Sequence, residues 1–204
     1  RISAGKAKHN GTVPARATYA NCIKCGAKVD LAYIRMQCIK NKFNYKLMCS
    51  IVEEKSGQSY VTPSDKQIKI AAMKRPEFNF DVDLNYNSRY LTAPAYGLKK
   101  ISDLFTARQL NTLTTFRNLI LETTAQIQSD AINAGFQDDQ IGLEDGGKGA
   151  KAYAELITIY LSFGLDRSAD YWTSLCYWKQ TRIGNIFARQ AIPMVWDFAE
   201  ANPF

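Results

Sequence analysis

The residues best suited to chemistry in this chain are two cysteines, Cys22 and Cys25, which are separated by two residues and followed by Gly26. A Cys-x-x-Cys-Gly turn is typical of a zinc knuckle, in which two thiolates of one tight turn bind the same metal ion. A structural zinc site needs four such ligands, and the chain has no second Cys-x-x-Cys. Two interpretations stay open: a reduced dithiol, or half of a zinc ribbon whose other ligands lie outside this chain.

Three further cysteines are weaker metal-ligand candidates. Cys38 and Cys49 could complete an all-thiolate site, but they are 11 residues apart and do not form a knuckle turn. Cys176 lies beside Tyr177 and Trp178 and is predicted to be a buried, inert thiol. We therefore predict zinc bound through Cys22 and Cys25, with the remaining ligands supplied from outside the chain.

Catalytic motifs are not evident in the sequence. His9 is the only histidine and lies in a polar N-terminal segment, which argues against a nucleophile with a histidine base. The glycine-rich stretch from Gly146 to Gly149 lies between predicted helices and does not have the spacing of a phosphate-binding loop. Asp166, Arg167 and Asp170 have the spacing of ordinary surface ion pairs on a helix. We predict no catalytic residue and no cofactor-binding residue in this chain.

Positive charge is concentrated in the first half of the chain. Residues 1–100 contain 18 Lys or Arg against 7 Asp or Glu, whereas residues 101–204 contain 8 against 12. Basic residues near the cysteine pair alternate with Tyr33, Phe43 and Tyr45, a mixture that suits phosphate neutralisation with base stacking. A solvated basic surface is the alternative. The predicted DNA contacts are Lys24, Lys28, Arg35, Lys40, Lys42 and Lys46.

The elements that must position these residues are predicted to be small and partly β. Residues 45–54 and 58–62 form a predicted hairpin around a turn at 55–57. Ser64 and Gln67 have the spacing of a capping box that opens a short helix through about Lys74, before Pro76. Residues 77–96 show no period and are predicted to be a surface connection, so we expect domains at 1–96 and 97–204.

The second half is predicted to be helical. Thr106 and Gln109 form a second capping-box pattern, opening a helix of roughly 28 residues that stops at Gly135. A solvated loop over 137–149 precedes a second helix with an apolar face over 153–165, and these two helices are expected to pack antiparallel. Residues 185–201 are predicted to form a third helix, kinked at Pro193. The predicted fold class is α+β.

Several strings of residues resemble a known family. They are Asp103-Leu-Phe-Thr-Ala-Arg-Gln-Leu110, Leu113-Thr-Thr-Phe116, Ser174-Leu-Cys-Tyr-Trp178 and the long C-terminal string from Asn185 to Phe204. Together they resemble the middle region of adenine-specific DNA methylases that contain a zinc ribbon. The resemblance covers most of the chain and is most specific in the C-terminal string. It implies that the Cys22 pair is the second of two, with the first pair upstream.

The resemblance also implies that other parts of the enzyme bind the cofactor and hold the target base. Such enzymes bind S-adenosylmethionine through an Asp-Pro-Phe-x-Gly type loop before this region and hold the target adenine with an Asp-Pro-Pro-Tyr motif after it. Neither motif occurs in this sequence, and Asn202-Pro203-Phe204 has one proline and belongs to the C-terminal string. The implied role is a non-catalytic segment of a restriction-modification type methyltransferase, with S-adenosylmethionine bound only in the parent enzyme.

The partners expected from this resemblance are DNA and the remaining methyltransferase domains. A free-standing, zinc-dependent protein-interaction module is the alternative. No stretch reaches the roughly 18 apolar residues that span a bilayer, and the N-terminal segment is polar, so a cytoplasmic location is expected. With half of its ligands missing, the knuckle is expected to be zinc-free and locally loosened.

Overall fold

The computed structural model describes residue 13 and residues 17–41, 44–77, 81–179, 181–188 and 190–202. Within them the chain combines small antiparallel hairpins with helices, which confirms the α+β class. None of the helices in these ranges is long and apolar enough to cross a membrane.

The first hairpin holds the cysteine pair. It consists of β1 (Tyr19–Asn21) and β2 (Lys28–Asp30), paired antiparallel with Asn21 opposite Lys28. Helix α1 (Leu31–Asn41) begins directly after β2, where Asp30 Oδ1 accepts a 2.8 Å hydrogen bond from the backbone N–H of Ala32. Helix α1 was not among the predicted elements. Its position matters because it continues the basic segment as one rigid element beside the cysteines.

The second hairpin is confirmed with shorter strands. It consists of β3 (Ser50–Glu54) and β4 (Gly57–Val61), so the first strand begins five residues later than predicted. The two-residue turn ends at Gly57, whose φ of 126° is a conformation that only glycine adopts readily. Helix α2 (Asp65–Ala71) opens on the predicted Ser64 capping box and ends three residues before Lys74.

A chain segment between the hairpins and the long helices forms much of the core. It contains two 3₁₀ helices, Ala93–Tyr96 and Ile101–Leu104. The buried cluster joins residues of this segment to residues near the C-terminus: Ala93, Leu98, Leu104, Leu175 and Ile186. The core therefore spans the predicted boundary between residues 96 and 97, and the division into two domains stays a prediction.

The two long helices form an antiparallel hairpin, as predicted. Helix α3 (Ala107–Asn133) opens on the Thr106 capping box, and Gly135 follows its end with a φ of 96°. Helix α4 (Ala150–Ala169) returns along it. Thr124 and Thr158 share a 2.8 Å hydrogen bond at mid-length, and the Phe136 and Tyr153 rings meet at the loop end with centroids 4.9 Å apart.

The C-terminal segment differs from the prediction. After the hairpin of β5 (Tyr177–Lys179) and β6 (Arg182–Gly184), none of the described residues in 185–202 is helical. The prediction of a kinked C-terminal helix was therefore wrong. The backbone of this segment bonds to distant residues instead of to itself: the N–H of Ile192 donates to the carbonyl of Tyr90 at 2.7 Å. Pro193 has no N–H to contribute to a helix.

The side chains of the same segment explain why the apolar pattern was misleading. Ile192, Met194 and Val195 all pack against the buried core cluster. Extended residues can bury apolar side chains against a core on more than one side, so a dense apolar run does not by itself identify a helix. The β5–β6 hairpin is also closely packed: Gly184 lies against the Tyr177 ring, and a Cβ on Gly184 would come within 2.5 Å of that ring.

Candidate metal centre and nucleic-acid interface

The cysteine pair lies on a closed, hydrogen-bonded turn between β1 and β2. The N–H of Cys22 donates to the carbonyl of Ala27, and the N–H of Gly26 donates to the carbonyl of Cys22, both at 2.8 Å. Gly26 has a φ of 73°, in the left-handed region that a side chain would disfavour. The turn is closed by these local bonds and by β pairing, so the expected loosening of the knuckle is not observed.

The surroundings of the Cys22 thiol favour its thiolate form. Hydrogen bonds from the backbone N–H of Cys25, then from that of Lys24, and from the Cys25 thiol lower the pKa of Cys22 below its ordinary value. Each of these groups stabilises the negative sulfur, and the thiolate is the form that ligates zinc. Cys22 is half-buried and Cys25 is exposed, so a metal ion can reach both.

The other cysteines are not gathered at this turn. Cys38 lies on α1, and burial raises the pKa of its thiol. Cys176 is fully buried, as predicted, with a pKa raised by burial. Among the described residues, no three Cys, His, Asp or Glu side chains form a group that could hold a metal ion. Zinc bound through Cys22 and Cys25 with outside ligands stays a prediction. His9 lies outside the described residues.

Four of the predicted DNA-contacting lysines lie exposed in the part of the chain that surrounds the cysteine pair. Lys24 is in the knuckle turn itself, and Lys28 on β2 places its Nζ 4.8 Å from the centre of the Tyr19 ring. Lys40 is in the last turn of α1, and Lys46 follows in the next loop. Lys42 and Phe43 lie outside the described residues.

Arg35, the fifth predicted DNA contact among the described residues, packs against the core. Its guanidinium lies 5.3 Å from the centre of the buried Tyr96 ring, and a hydrogen bond with Tyr96 raises the pKa of Arg35. The Arg35 Nε atom is itself buried. Arg35 therefore connects α1 to the first 3₁₀ helix; the residue as a whole is half-buried, and its contact with DNA stays a prediction. The sequence contains no local signal for this, because the two residues are 61 positions apart.

The aromatic residues near the lysines differ in whether they are open to solvent or packed against the rest of the chain. Tyr33 on α1 is exposed and can stack on a base. Tyr45 instead packs edge-on against Phe198, with ring centroids 5.5 Å apart, so it connects the basic segment to the C-terminal segment. Ile23 was not among the predicted site residues, but it lies between the two cysteines and is 91% exposed. An apolar side chain presented this openly suits contact with another protein surface.

The Asp166, Arg167 and Asp170 cluster at the end of α4 is partly buried. Arg167 Nη1 lies 2.6 Å from Asp170 Oδ2, as the helical spacing predicted, but Asp170 is only 4% exposed. Its carboxylate also accepts hydrogen bonds from the Asn185 side chain and from the backbone N–H of Phe187. The interpretation as an ordinary surface ion pair is corrected: Asp170 holds the C-terminal segment against α4, which is a structural role.

Comparison with known proteins identified no relatives. No protein-family model matches the chain, and neither a curated protein nor a solved structure matches it.

Proposed function

We propose that this chain is a non-catalytic middle segment of an S-adenosylmethionine-dependent DNA adenine methyltransferase, and that its cysteine-containing lobe contacts the DNA backbone. The observation that carries the proposal is the arrangement around the first hairpin. The knuckle turn with Lys24 leads through β2 with Lys28 directly into α1 with Lys40, so exposed cations are fixed to one small rigid unit. The resemblance of the helical and C-terminal strings supplies the enzyme class.

The basic lobe is defined here as residues 17–46 within the described ranges. Its exposed lysines can neutralise phosphates and release bound counterions, which gives affinity that falls as salt rises. Phosphate contacts position a protein on DNA without reading sequence, so this lobe contributes grip and orientation. Tyr33 adds a ring on which an unpaired base can stack. A knuckle completed by outside thiolates would further stiffen the unit that carries Lys24.

Methyl transfer itself is assigned to other parts of the parent enzyme. The reaction moves a methyl group from a sulfonium to the exocyclic amine of an adenine that has been flipped from the duplex. The resemblance implies that the cofactor loop precedes this segment and that the adenine clamp follows it. This segment would then act by holding the duplex while those parts act on the base.

A salt titration tests the proposal. The chain is expected to bind duplex DNA at low salt and to lose affinity steeply as salt rises, with a slope close to the number of phosphates contacted. The paired change of Lys24 and Lys40 to Gln should weaken binding and reduce that slope by about 2. The matched control changes Lys66 and Lys69 to Gln, two exposed lysines on α2. Failure to bind any duplex at low salt would overturn the DNA-contact proposal.

A second measurement addresses the assignment of the cofactor to the parent enzyme. Titration of the chain with S-adenosylmethionine, followed by calorimetry, is expected to show no saturable binding. Saturable binding at one site would contradict the non-catalytic role and would indicate a self-contained enzyme.

A zinc-dependent protein-interaction module is the second candidate, and one specific observation favours it. Large apolar side chains are exposed in this lobe and directly after it, above all Ile23 in the knuckle turn and Met48, two residues beyond the lobe and 78% exposed. Such residues suit a protein interface better than a phosphate backbone. This candidate predicts association with protein that is insensitive to salt and is lost when Ile23 is changed to Asp, with no binding to duplex DNA.

A further inference from the structure

Helix α4 is unusually apolar for a helix that packs against α3 on one side and is exposed on the other. From Leu156 to Leu165 it contains no charged residue. Its inner side faces α3, where Thr158 bonds to Thr124. Tyr160 lies two positions after Thr158, about 200° around the helix, and therefore points away from α3. A helix that is apolar on both sides is normally covered on both sides.

The outer side of α4 carries one continuous stripe of large apolar residues. Its members on the helix are spaced three, four and three residues apart, which places them on one face. At the loop end the stripe continues onto Phe136, whose ring packs against that of Tyr153. The two most open side chains are Tyr160 at 65% and Phe163 at 61% exposed. We call this stripe the aromatic face: Phe136, Tyr153, Leu156, Tyr160 and Phe163.

Opposite charges flank the two ends of the aromatic face. Arg167 follows Phe163 by four residues, so it continues the stripe at the C-terminal end of α4. Its Nη1 atom contacts Asp170 of the same chain, but its side chain is 66% exposed, which leaves it open to a partner's carboxylate as well. Gly149 precedes Tyr153 by four residues at the other end. A Cβ on Gly149 would come within 2.5 Å of Asp139 Oδ1, so the Asp139 carboxylate lies beside that end of the stripe.

We propose that the aromatic face is the interface of a homodimer in which two α4 helices pack antiparallel about a twofold axis. With the axis near position 158 along the helix, Tyr153 lies opposite the partner's Phe163, and Leu156 lies opposite the partner's Tyr160. The same arrangement brings Arg167 to the partner's Gly149, beside the partner's Asp139. Each copy contributes the same patch, which is the condition for a twofold interface.

The charges at the two ends of the aromatic face favour a second copy of this chain as the partner, and they favour antiparallel packing of the two α4 helices. Both members of the proposed ion pair are on the same surface of one chain, at opposite ends of the stripe, so an antiparallel second copy satisfies both at once. A parallel arrangement would place Arg167 against the partner's Arg167, and like charges in an interface are costly. The result would be two helical hairpins forming a four-helix bundle, in which apolar residues of facing helices fill the centre.

The area of the aromatic face is sufficient for a small interface. Fully exposed aromatic side chains offer roughly 150–250 Å² each, so the aromatic face as exposed here presents on the order of 500 Å². Ile159 adjoins Tyr160 on α4 and is also exposed, which extends the surface toward the roughly 800 Å² per partner of a standard interface. Buried area alone does not set affinity, and a total of about 1,000 Å² lies at the small end of specific interfaces, so a weak, concentration-dependent dimer is expected.

Sedimentation equilibrium of the 204-residue chain tests the proposal, and Tyr160→Asp is the first variant. The chain is expected to be in a monomer–dimer equilibrium. Tyr160→Asp buries a charge at the centre of the interface and should raise the dissociation constant about 30-fold. The matched control is Leu121→Asp, which changes an exposed leucine on α3 outside the aromatic face and should leave the dissociation constant unchanged. Circular dichroism of each variant checks that it is folded.

The charge pair supplies an independent test. Asp139→Arg and Arg167→Asp should each weaken the dimer, and the double variant should recover it. The two residues flank opposite ends of α4, whose length from 149 to 167 is about 27 Å, so recovery requires contact between chains. If Arg167→Asp disturbs folding through its contact with Asp170, Asp139→Arg alone still tests the prediction. A chain that stays monomeric, or a dimer unaffected by Tyr160→Asp, would overturn the proposal.

Discussion

The side-chain amide of Asn185 donates a 2.7 Å hydrogen bond to the carboxylate of Asp170, joining the first residue after β6 to the end of α4. The backbone N–H of Phe187 donates to the same carboxylate at 2.9 Å, and the N–H of Ile186 donates to the Asp170 carbonyl. One buried acidic residue thus fixes three successive residues of the C-terminal segment. This contact fixes the start of the C-terminal segment against the end of α4.

Replacing Asp170 with Ala is expected to lower the free energy of unfolding by about 3 kcal/mol. The change leaves the Asn185 amide and the Phe187 N–H without their acceptor in a largely buried place, and each unpaired donor is costly. Urea unfolding measured by circular dichroism checks the result. Asp166→Ala, an exposed neighbour on α4, should change stability by less than about 0.5 kcal/mol. Equal effects of the two changes would contradict the structural role of Asp170.

A side-chain hydrogen bond connects the β3–β4 hairpin to the β5–β6 hairpin. The Trp178 indole Nε1 donates to the Tyr60 hydroxyl at 2.9 Å, across 118 positions of sequence. Tyr60→Phe removes only the acceptor and should lower the free energy of unfolding by about 1 kcal/mol. The same change at the exposed Tyr33 is the control and should be neutral. Urea unfolding checks both variants, and identical midpoints for Tyr60→Phe and the unaltered chain would exclude a stabilising bond.

Stability in acid should depend on Asp81. Burial tends to raise the pKa of this carboxyl, but hydrogen bonds from the hydroxyl and N–H of Ser102 and the positive charge of Lys100 outweigh it and lower the pKa. The native state then binds fewer protons than the unfolded state. The stabilisation is present above the ordinary Asp pKa of about 4 and is lost as pH falls through the lower native value.

The corresponding measurement compares Asp81→Asn with the unaltered chain across pH. The difference in unfolding free energy between the two should be large near neutral pH and should shrink as pH falls below about 4. Asp83→Asn changes an exposed carboxylate two residues away and serves as the control. A difference that is constant from neutral pH to about pH 2 would show that the Asp81 charge does not stabilise the fold.

Thiol labelling should separate the cysteines by environment. The lowered pKa of Cys22 makes more thiolate at a given pH, so its alkylation rate should rise at lower pH than that of Cys38, whose pKa is raised by burial. Cys176 should react only on unfolding, because it is fully buried. Mass spectrometry after timed alkylation gives the rates. Reaction of Cys22 no faster than Cys38 over about pH 6 to 9 would contradict the stabilised thiolate.

If the knuckle turn binds zinc, the metal should protect Cys22 and Cys25 selectively from alkylation. Addition of zinc is expected to slow alkylation of Cys22 and Cys25 while leaving Cys38 and Cys49 unaffected, since bound thiolates are poor nucleophiles. Changing Cys25 to Ser should abolish protection of Cys22. Protection of Cys38 or Cys49 alongside the pair would instead favour the all-thiolate site that the spacing left open.

Features predicted correctly from the sequence are local ones. The capping boxes at Ser64 and Thr106 are both present, because each is a hydrogen-bonded exchange between residues three positions apart. Gly135 ends α3 in a left-handed conformation that glycine permits. The hairpin turn before Gly57 follows from the same conformational freedom. Such features depend on nearby residues, so their patterns can be read directly.

Features predicted wrongly depend on distant residues. Residues 185–201 have an apolar pattern compatible with a helix, but Ile192 exchanges backbone hydrogen bonds with Tyr90 and Thr92 instead. Several apolar side chains of the segment pack in or against the core: Ile186, Ile192, Met194 and Val195. Helix α1 was missed because its residues mix exposed apolar and basic side chains without a clear amphipathic pattern. In both cases the available contacts elsewhere in the fold, and not the local pattern, decided the conformation.

The sequence by itself determined the knuckle turn, the basic character of the lobe around it and the two long helices, because these follow from residue type and short-range spacing. Only the tertiary structure decided that Arg35 faces Tyr96, that Asp170 is a buried anchor and that the aromatic face of α4 is left uncovered by the described residues. The reason is physical: burial and pairing depend on which distant surfaces meet, and chain spacing does not specify that.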